Sequence, residues 1–215
     1  MGQRCIFYIV SEIPVSSDIQ TPSMDRLCLD FLNSEWGDFR GRWREDRLLQ
    51  PAWLEEFLNR WNLQMADPVS PAVVDALVGL RTLMRGIVGS LPAGNPSSDD
   101  LNALNAILLN TPSVRRLVWG GEKFELEIVP LARDWRWVMA EIAASFADLL
   151  VNHDSKRLKI CENPNCRGIF YDESKSRTKR WCTNNKCANL WKVRRFRARK
   201  KILNESSSAT SYHLT

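Results

Sequence analysis

Hydrophobic positions along the chain recur mostly at helical spacing and switch once to strand-like alternation. Leu27, Phe31 and Leu32 fall close to one helical stripe. They predict a helix opening near Ser23, a residue suited to an N-cap. Within it Cys28 reads as a small core residue, and Asp30 and Asn33 as polar surface positions. Residues 36–47 carry two glycines and mixed charge, and read as a loop. Pro51 suits the first turn of a helix in which Trp53, Leu54, Phe57, Leu58 and Trp61 make one buried face. Ser70-Pro71 marks another start, cap followed by proline, for a helix to about Ser90 with Val73, Val74, Leu77, Leu80, Leu83, Met84, Ile87 and Val88 inside. Arg81 and Arg85 lie one turn apart on it and read as a solvated edge with packed aliphatic stems. Ser98 can cap a further helix, with Asp99 and Asp100 at its positive end. Between Val114 and Val129 the period changes to alternation around Gly120-Gly121, which predicts a β-hairpin. Asp134 then opens a long apolar helix ending near His153. The fold class expected is mainly α (α+β): a helical domain over 23–155 with one β-hairpin, preceded by an extension over 1–22.

After this helix the pattern is replaced by cysteines and charge. Cys161-x4-Cys166 and Cys182-x4-Cys187 are separated by fifteen residues. Two close pairs joined by a loop supply four thiolates to one tetrahedral Zn²⁺. With all four positions filled by protein, such a metal is structural and leaves nothing open for catalysis. Two disulfides or free thiols are the alternatives, and a reducing compartment favours metal over disulfides. A module of this size buries too little for an adequate core, so the metal would supply much of its folding energy, on the order of 10 kcal/mol. Ile169, Phe170 and Trp181 are candidates for its small apolar centre, and Lys179, Arg180 and Lys186 for offsetting the thiolate charge. The module is expected over 156–203, packed against the long helix, with a disordered tail over 204–215.

Charge sharpens the division. Residues 156–201 hold sixteen Lys/Arg against Glu162, Asp172 and Glu173, a net of +13, which leaves −8 for the rest of a chain whose total is +5. A basic module on an acidic body suggests a polyanion partner for the module alone. Seven of the cations fall within residues 192–201, on a stretch that turns helical after Cys187, with Leu190, Val193 and Phe196 able to face inward. A knuckle feeding directly into such a helix resembles a treble clef, and a basic helix suits phosphate backbones. The contact residues expected are Arg177, Lys179, Arg180, Lys192, Arg194, Arg195, Arg197 and Arg199. Docking of an acidic protein on the same surface is one alternative, and a small-molecule binder or enzyme in the helical body is the other.

Hydrophobic residues are 44% of 215, and no apolar run approaches a membrane span or a signal peptide, so a cytoplasmic protein with no membrane partner is expected. There are two histidines, and no glycine-rich phosphate loop, nucleophile elbow or HExxH, so no catalytic residues are assigned and no enzyme is expected.

Two stretches carry a resemblance. Leu27-Cys-Leu-Asp-Phe-Leu-Asn-Ser34 is similar to the LCLDFxNT opening of a bacterial family that joins an N-terminal ABATE domain to a C-terminal CGNR-type zinc finger. Cys161-x4-Cys166, Phe170-Tyr-Asp-Glu-Ser174, Lys179-Arg-Trp-Cys182 and Cys187 are similar to its finger. The family is described as stress-induced transcription regulators. The resemblance implies a mostly helical domain that senses an unknown small ligand, coupled to a nucleic-acid-binding finger. The partners expected are nucleic acid, DNA before RNA, with a small ligand and a second copy of the chain as further candidates. The resemblance adds interest to Asp30 and Asn33, which fall on the family's polar motif positions. Apart from the resemblance, Asp30, Asn33 and Arg81 are the candidate ligand-binding residues of a pocket in the helical body. The family's Cys-Gly-Asn-Arg reads Cys187-Ala188-Asn189-Leu190 here. If that glycine serves a positive φ, Ala188 strains the knuckle by about 1 kcal/mol. Leu190 replaces an arginine that could meet phosphate.

Overall fold

The computed structural model describes residues 26–65, 67–94 and 96–210. The expected extension over 1–22, the cap at Ser23 and residues 211–215 lie outside them. The element order is α1 (Leu27–Leu32), β1 (Glu35–Gly37), β2 (Arg44–Asp46), α2 (Pro51–Arg60), α3 (Pro71–Ser90), α4 (Ser98–Leu109), β3 (Ser113–Trp119), β4 (Phe124–Pro130), α5 (Trp135–Asn152), β5 (Leu158–Ile160), β6 (Ile169–Tyr171) and α6 (Asn189–Thr210). The strands form three separate antiparallel pairs, β1–β2, β3–β4 and β5–β6.

Helix starts follow the local chemistry. Ser70 accepts from the Val73 N–H with Pro71 in the first turn, and Asp134 accepts from the N–H groups of Arg136 and Trp137. For α4 the cap is Ser97, one residue before the one expected. The buried stripe of α3 comprises Leu77, Leu80, Met84, Ile87 and Val88, and it meets Phe31 and Leu32 of α1, Leu54 and Phe57 of α2, and Val138, Ile142, Phe146 and Leu149 of α5 in one core. Cys28 is fully buried there, and burial pushes its thiol up to about 11, as suits an inert core residue.

Three expectations are corrected. Residues 35–46 form the β1–β2 hairpin, paired Glu35 with Asp46 through Gly37 with Arg44, where a loop was expected over 36–47. Three-residue strands carry too few alternations to be read as such. Arg81 is no solvated edge: it is 5% exposed. Residues 204–210, expected within a disordered tail, continue α6 as helix, since propagating a helix costs far less than starting one.

The β3–β4 hairpin stands as predicted, in register from Ser113 with Pro130 to Trp119 with Phe124. At its tip the Trp119 and Phe124 rings meet edge to face, centroids 4.9 Å apart.

Candidate metal centre and basic helix

The four cysteines converge. Cys161 directly follows β5 and donates its N–H to the Gly168 carbonyl at 2.8 Å, and Cys166 closes a turn by donating its N–H to the Asn163 carbonyl at 2.9 Å. Cys182 follows a loop, and Cys187 sits in a π-helical turn over Asn184–Ala188 that Thr183 caps by accepting from the Cys187 N–H. All four sulfur atoms lie within 4.8 Å of one another. Cys166 and Cys182 are 3.6 Å apart, Cys182 and Cys187 3.9 Å. A tetrahedron with Zn–S bonds of about 2.3 Å has edges of about 3.8 Å, so the donor set fits one Zn²⁺. The distances are far beyond the roughly 2.05 Å of a disulfide, and these four cysteines and Cys28 are free. The disulfide alternative therefore falls.

Crowding also ties the four titrations together. Hydrogen bonds from Cys166 and the other two sulfurs hold the Cys161 thiol far below its ordinary range, while the bonds it receives drive Cys166 and Cys182 far above theirs. A divalent cation resolves that conflict by replacing shared protons. The Asn163 amide, fully buried, donates to the Cys187 sulfur at 3.3 Å and stabilises negative charge there. Around the sulfurs pack Phe170, Trp181 and, from the body, Phe39. Ile169 turns the other way and joins the main core with Leu158 and Tyr171. The expected small centre of the finger is thus shared between two clusters.

The module is fixed to the body through backbone groups. Asn33 Oδ1 accepts from the Ile169 N–H at 2.8 Å, and Asn33 Nδ2 donates to the Ile169 carbonyl at 2.9 Å and to the Leu29 carbonyl at 2.9 Å. Gly168 makes room for this: a Cβ there would lie 3.3 Å from the Cys166 sulfur and 3.5 Å from Asn33 Oδ1. Arg85 donates to the Leu32 carbonyl at 2.8 Å and to the Arg167 carbonyl at 2.7 Å, so α1, α3 and the first knuckle share one guanidinium. Burial lowers the pKa of that group, as do Arg167, Arg81 and Arg44 nearby. The Asn163 amide donates to the Phe39 carbonyl at 2.8 Å.

Asp172, fully buried, organises the loop between β6 and Cys182. Burial would raise its pKa, but Lys159 Nζ at 2.6 Å, the Ser174 hydroxyl and N–H, and the Lys179 N–H outweigh that and hold it well below the usual range. It lies within the Phe170-Tyr-Asp-Glu-Ser174 stretch, where nothing but its place among polar residues signalled a buried role.

The other candidate residues separate by their partners. Asp30 accepts from Arg60 at 2.9 Å and from the Trp61 indole at 2.8 Å, tying α1 to α2. Arg81 grips both oxygens of Asp46 and donates to the Ser34 hydroxyl at 2.9 Å. The structure does not bring Asp30, Asn33 and Arg81 to a common point of contact; each holds a different pair of elements. Arg177 pairs with Asp154 at 2.9 Å, Arg180 with Glu162, and Lys179 lies over the Phe170 ring at 5.5 Å. Lys192, Arg194, Arg195, Arg197 and Arg199 are exposed on α6 and meet no carboxylate among the described residues. At 100° per residue they spread over about 220° of the helix circumference and leave the sector of Val193 and Phe196 between them. Val193 is 36% exposed and Phe196 67%, so the expected inward face of α6 is corrected; the helix leaves the knuckle without lying on the body, and only Leu190 at its root is half-buried. Ala188 does not take a positive φ; it completes the π-helical turn, so the anticipated strain is absent.

Sequence reasoning missed Asn163, Arg85 and Phe39. An arginine one turn from another, an asparagine in a knuckle and a phenylalanine in a presumed loop carry no periodic signal.

Comparison with known families follows this division. Residues 25–153 match the ABATE model, described as "putative stress-induced transcription regulator". Residues 157–200 match the CGNR zinc finger. No curated protein matches the chain at a significant level. Neither model describes an enzyme, and no helix among the described residues is long and apolar enough to cross a membrane.

Proposed function

From the premise that the chain belongs to the ABATE family and carries a CGNR zinc finger, we propose that it regulates transcription by binding nucleic acid, DNA before RNA, through α6. The observation that carries this reading is a helix whose cations Lys192, Arg194, Arg195, Arg197 and Arg199 are all exposed and free of carboxylate partners among the described residues. A sulfur-lined metal site fixes its root. A phosphate backbone supplies the counter-charges that the protein withholds, and releases its own counterions on binding. Arg177, Lys179 and Arg180 contribute second, because contact by Arg177 or Arg180 competes with an internal ion pair. The organisation is a helical body that receives a signal and a finger that reports it.

Fluorescence anisotropy with labelled duplex DNA and with RNA, titrated across salt, tests the reading. The wild type should bind, with log K falling linearly in log salt. Arg194→Glu with Arg195→Glu should weaken binding and flatten the slope by about 2. No binding to either nucleic acid at low salt would overturn the proposal.

A second reading has one observation in its favour. Phe196 and Ile202 expose 67% and 64% of their surface on α6, which a protein partner or a second copy would cover. Pull-down complexes that survive nuclease would point to it.

A further inference from the structure

The β1–β2 loop belongs to the body in sequence and to the finger in space. Its Phe39 ring packs into the sulfur cluster with Phe170 and Trp181. The Asn163 amide that donates to the Phe39 carbonyl at 2.8 Å also donates to the Cys187 sulfur at 3.3 Å, two residues before α6 begins. The loop therefore sits at the root of the basic helix.

The loop is also held in shape. Gly41 has φ +84°, and a Cβ there would come within 2.7 Å of the Asn165 amide in the first knuckle. The Asp38 N–H donates to the Trp43 carbonyl at 3.0 Å and the Gly41 N–H to the Asp38 carbonyl at 2.7 Å. Asp38 takes Arg42 at 2.6 Å, which lowers the carboxyl pKa, and Glu35 takes Arg44 at 3.2 Å. Two of the three arginines between Glu35 and Asp46 are thereby neutralised. Arg40 is exposed, its guanidinium meets no carboxylate among the described residues, and it lies over the Phe39 ring at 5.4 Å. Trp43 leaves 49% of its surface open two residues past the turn.

An unpaired guanidinium and an open indole on a rigid turn, beside a polycationic helix, are what a nucleic-acid strand can use. The guanidinium meets a phosphate, and the indole offers a stacking face to any base. Building on the function proposed for α6, we propose that the β1–β2 loop is a second nucleic-acid contact, with Arg40 on the backbone and Trp43 against a base. The bound strand then spans body and finger, so the body's own residues enter the affinity.

The experiment uses the full chain with bound zinc, and anisotropy across salt with duplex and single-stranded oligonucleotides. Arg40→Ala should reduce the salt slope by about 0.9 on duplex or 0.7 on single strands, one phosphate contact in either case. Trp43→Ala should weaken binding roughly tenfold at fixed salt with the slope unchanged. Larger loss on single strands assigns stacking on splayed bases, and equal loss assigns contact along a duplex. Zinc content and melting temperature should match the wild type. If either alanine variant fails that check, Arg40→Gln and Trp43→Leu keep the stems and take its place. Wild-type affinity and slope in the variants, while Arg194→Glu with Arg195→Glu abolishes binding, would overturn this proposal and leave the reading of α6 intact. A wild type that binds no nucleic acid would remove both.

Discussion

The Asn33 amide presents to Ile169 what a neighbouring strand would, a carbonyl for its N–H and an N–H for its carbonyl. Asn33→Ala leaves both backbone groups of a fully buried residue without partners. The variant should lose about 2–4 kcal/mol in chemical denaturation, and release zinc faster to a chromophoric chelator. An unchanged denaturation midpoint would remove Asn33 from its bridging role. Asp46 offers a test by pH. Its carboxyl is held below the usual range by the Arg81 hydrogen bonds, which outweigh the effect of burial. A carboxylate with a depressed folded pKa adds stability that is fully present above its unfolded value, about 3.9, and lost as pH falls through the folded value. The stability gap between wild type and Asp46→Asn should therefore be constant near neutrality and close below about pH 4. Urea titrations at several pH values would show it. In the sequence Asn33 reads as a polar surface position and Arg81 as a solvated edge, because a lone polar residue announces only that it needs partners, and those partners lie 136 and 35 residues away.

At the scale of elements, long helices were legible because each combined a cap with many turns of one apolar face, as α3 and α5 do. The β1–β2 pair was not, since its turn is held by the Asn163 amide of a distant knuckle. The fate of α6 was half legible. Its helicity follows from composition, but its freedom depends on where the knuckle aims it, and no pattern in residues 189–202 encodes that. The π-helical turn answers the question raised by Ala188. With helical backbone rather than positive φ, a glycine would add only unfolded-state entropy. Ala188→Gly should destabilise the zinc-bound finger by about 0.5–1 kcal/mol, and thermal melting would measure it. A gain in stability would show that the turn prefers another conformation.

Across the whole molecule, the finger and body share a core: Leu158, Ile169 and Tyr171 are buried with the residues of α1, α3 and α5. Stripping zinc with a chelator, or Cys182→Ser, should thus do more than unfold forty residues. The melt of the body should shift down with it, as one transition rather than two, followed by circular dichroism of the helices. A body that melts unchanged after metal removal would show the shared core to be nominal. The cysteine spacing pointed to the metal site, and the sulfur distances removed the disulfide alternative, whereas the union of the two parts rests on contacts between residues far apart in sequence. That union has a bearing on how such a protein can change. Arg85 and Asn163 grip peptide carbonyls, at Arg167 and Phe39, and Asn33 grips the peptide groups of Ile169. Peptide groups are the same whatever side chain they carry. The outward residues of α6 take no part in these bonds and are therefore free to be exchanged over generations, so a lineage can rewrite that surface without redesigning how the finger is mounted.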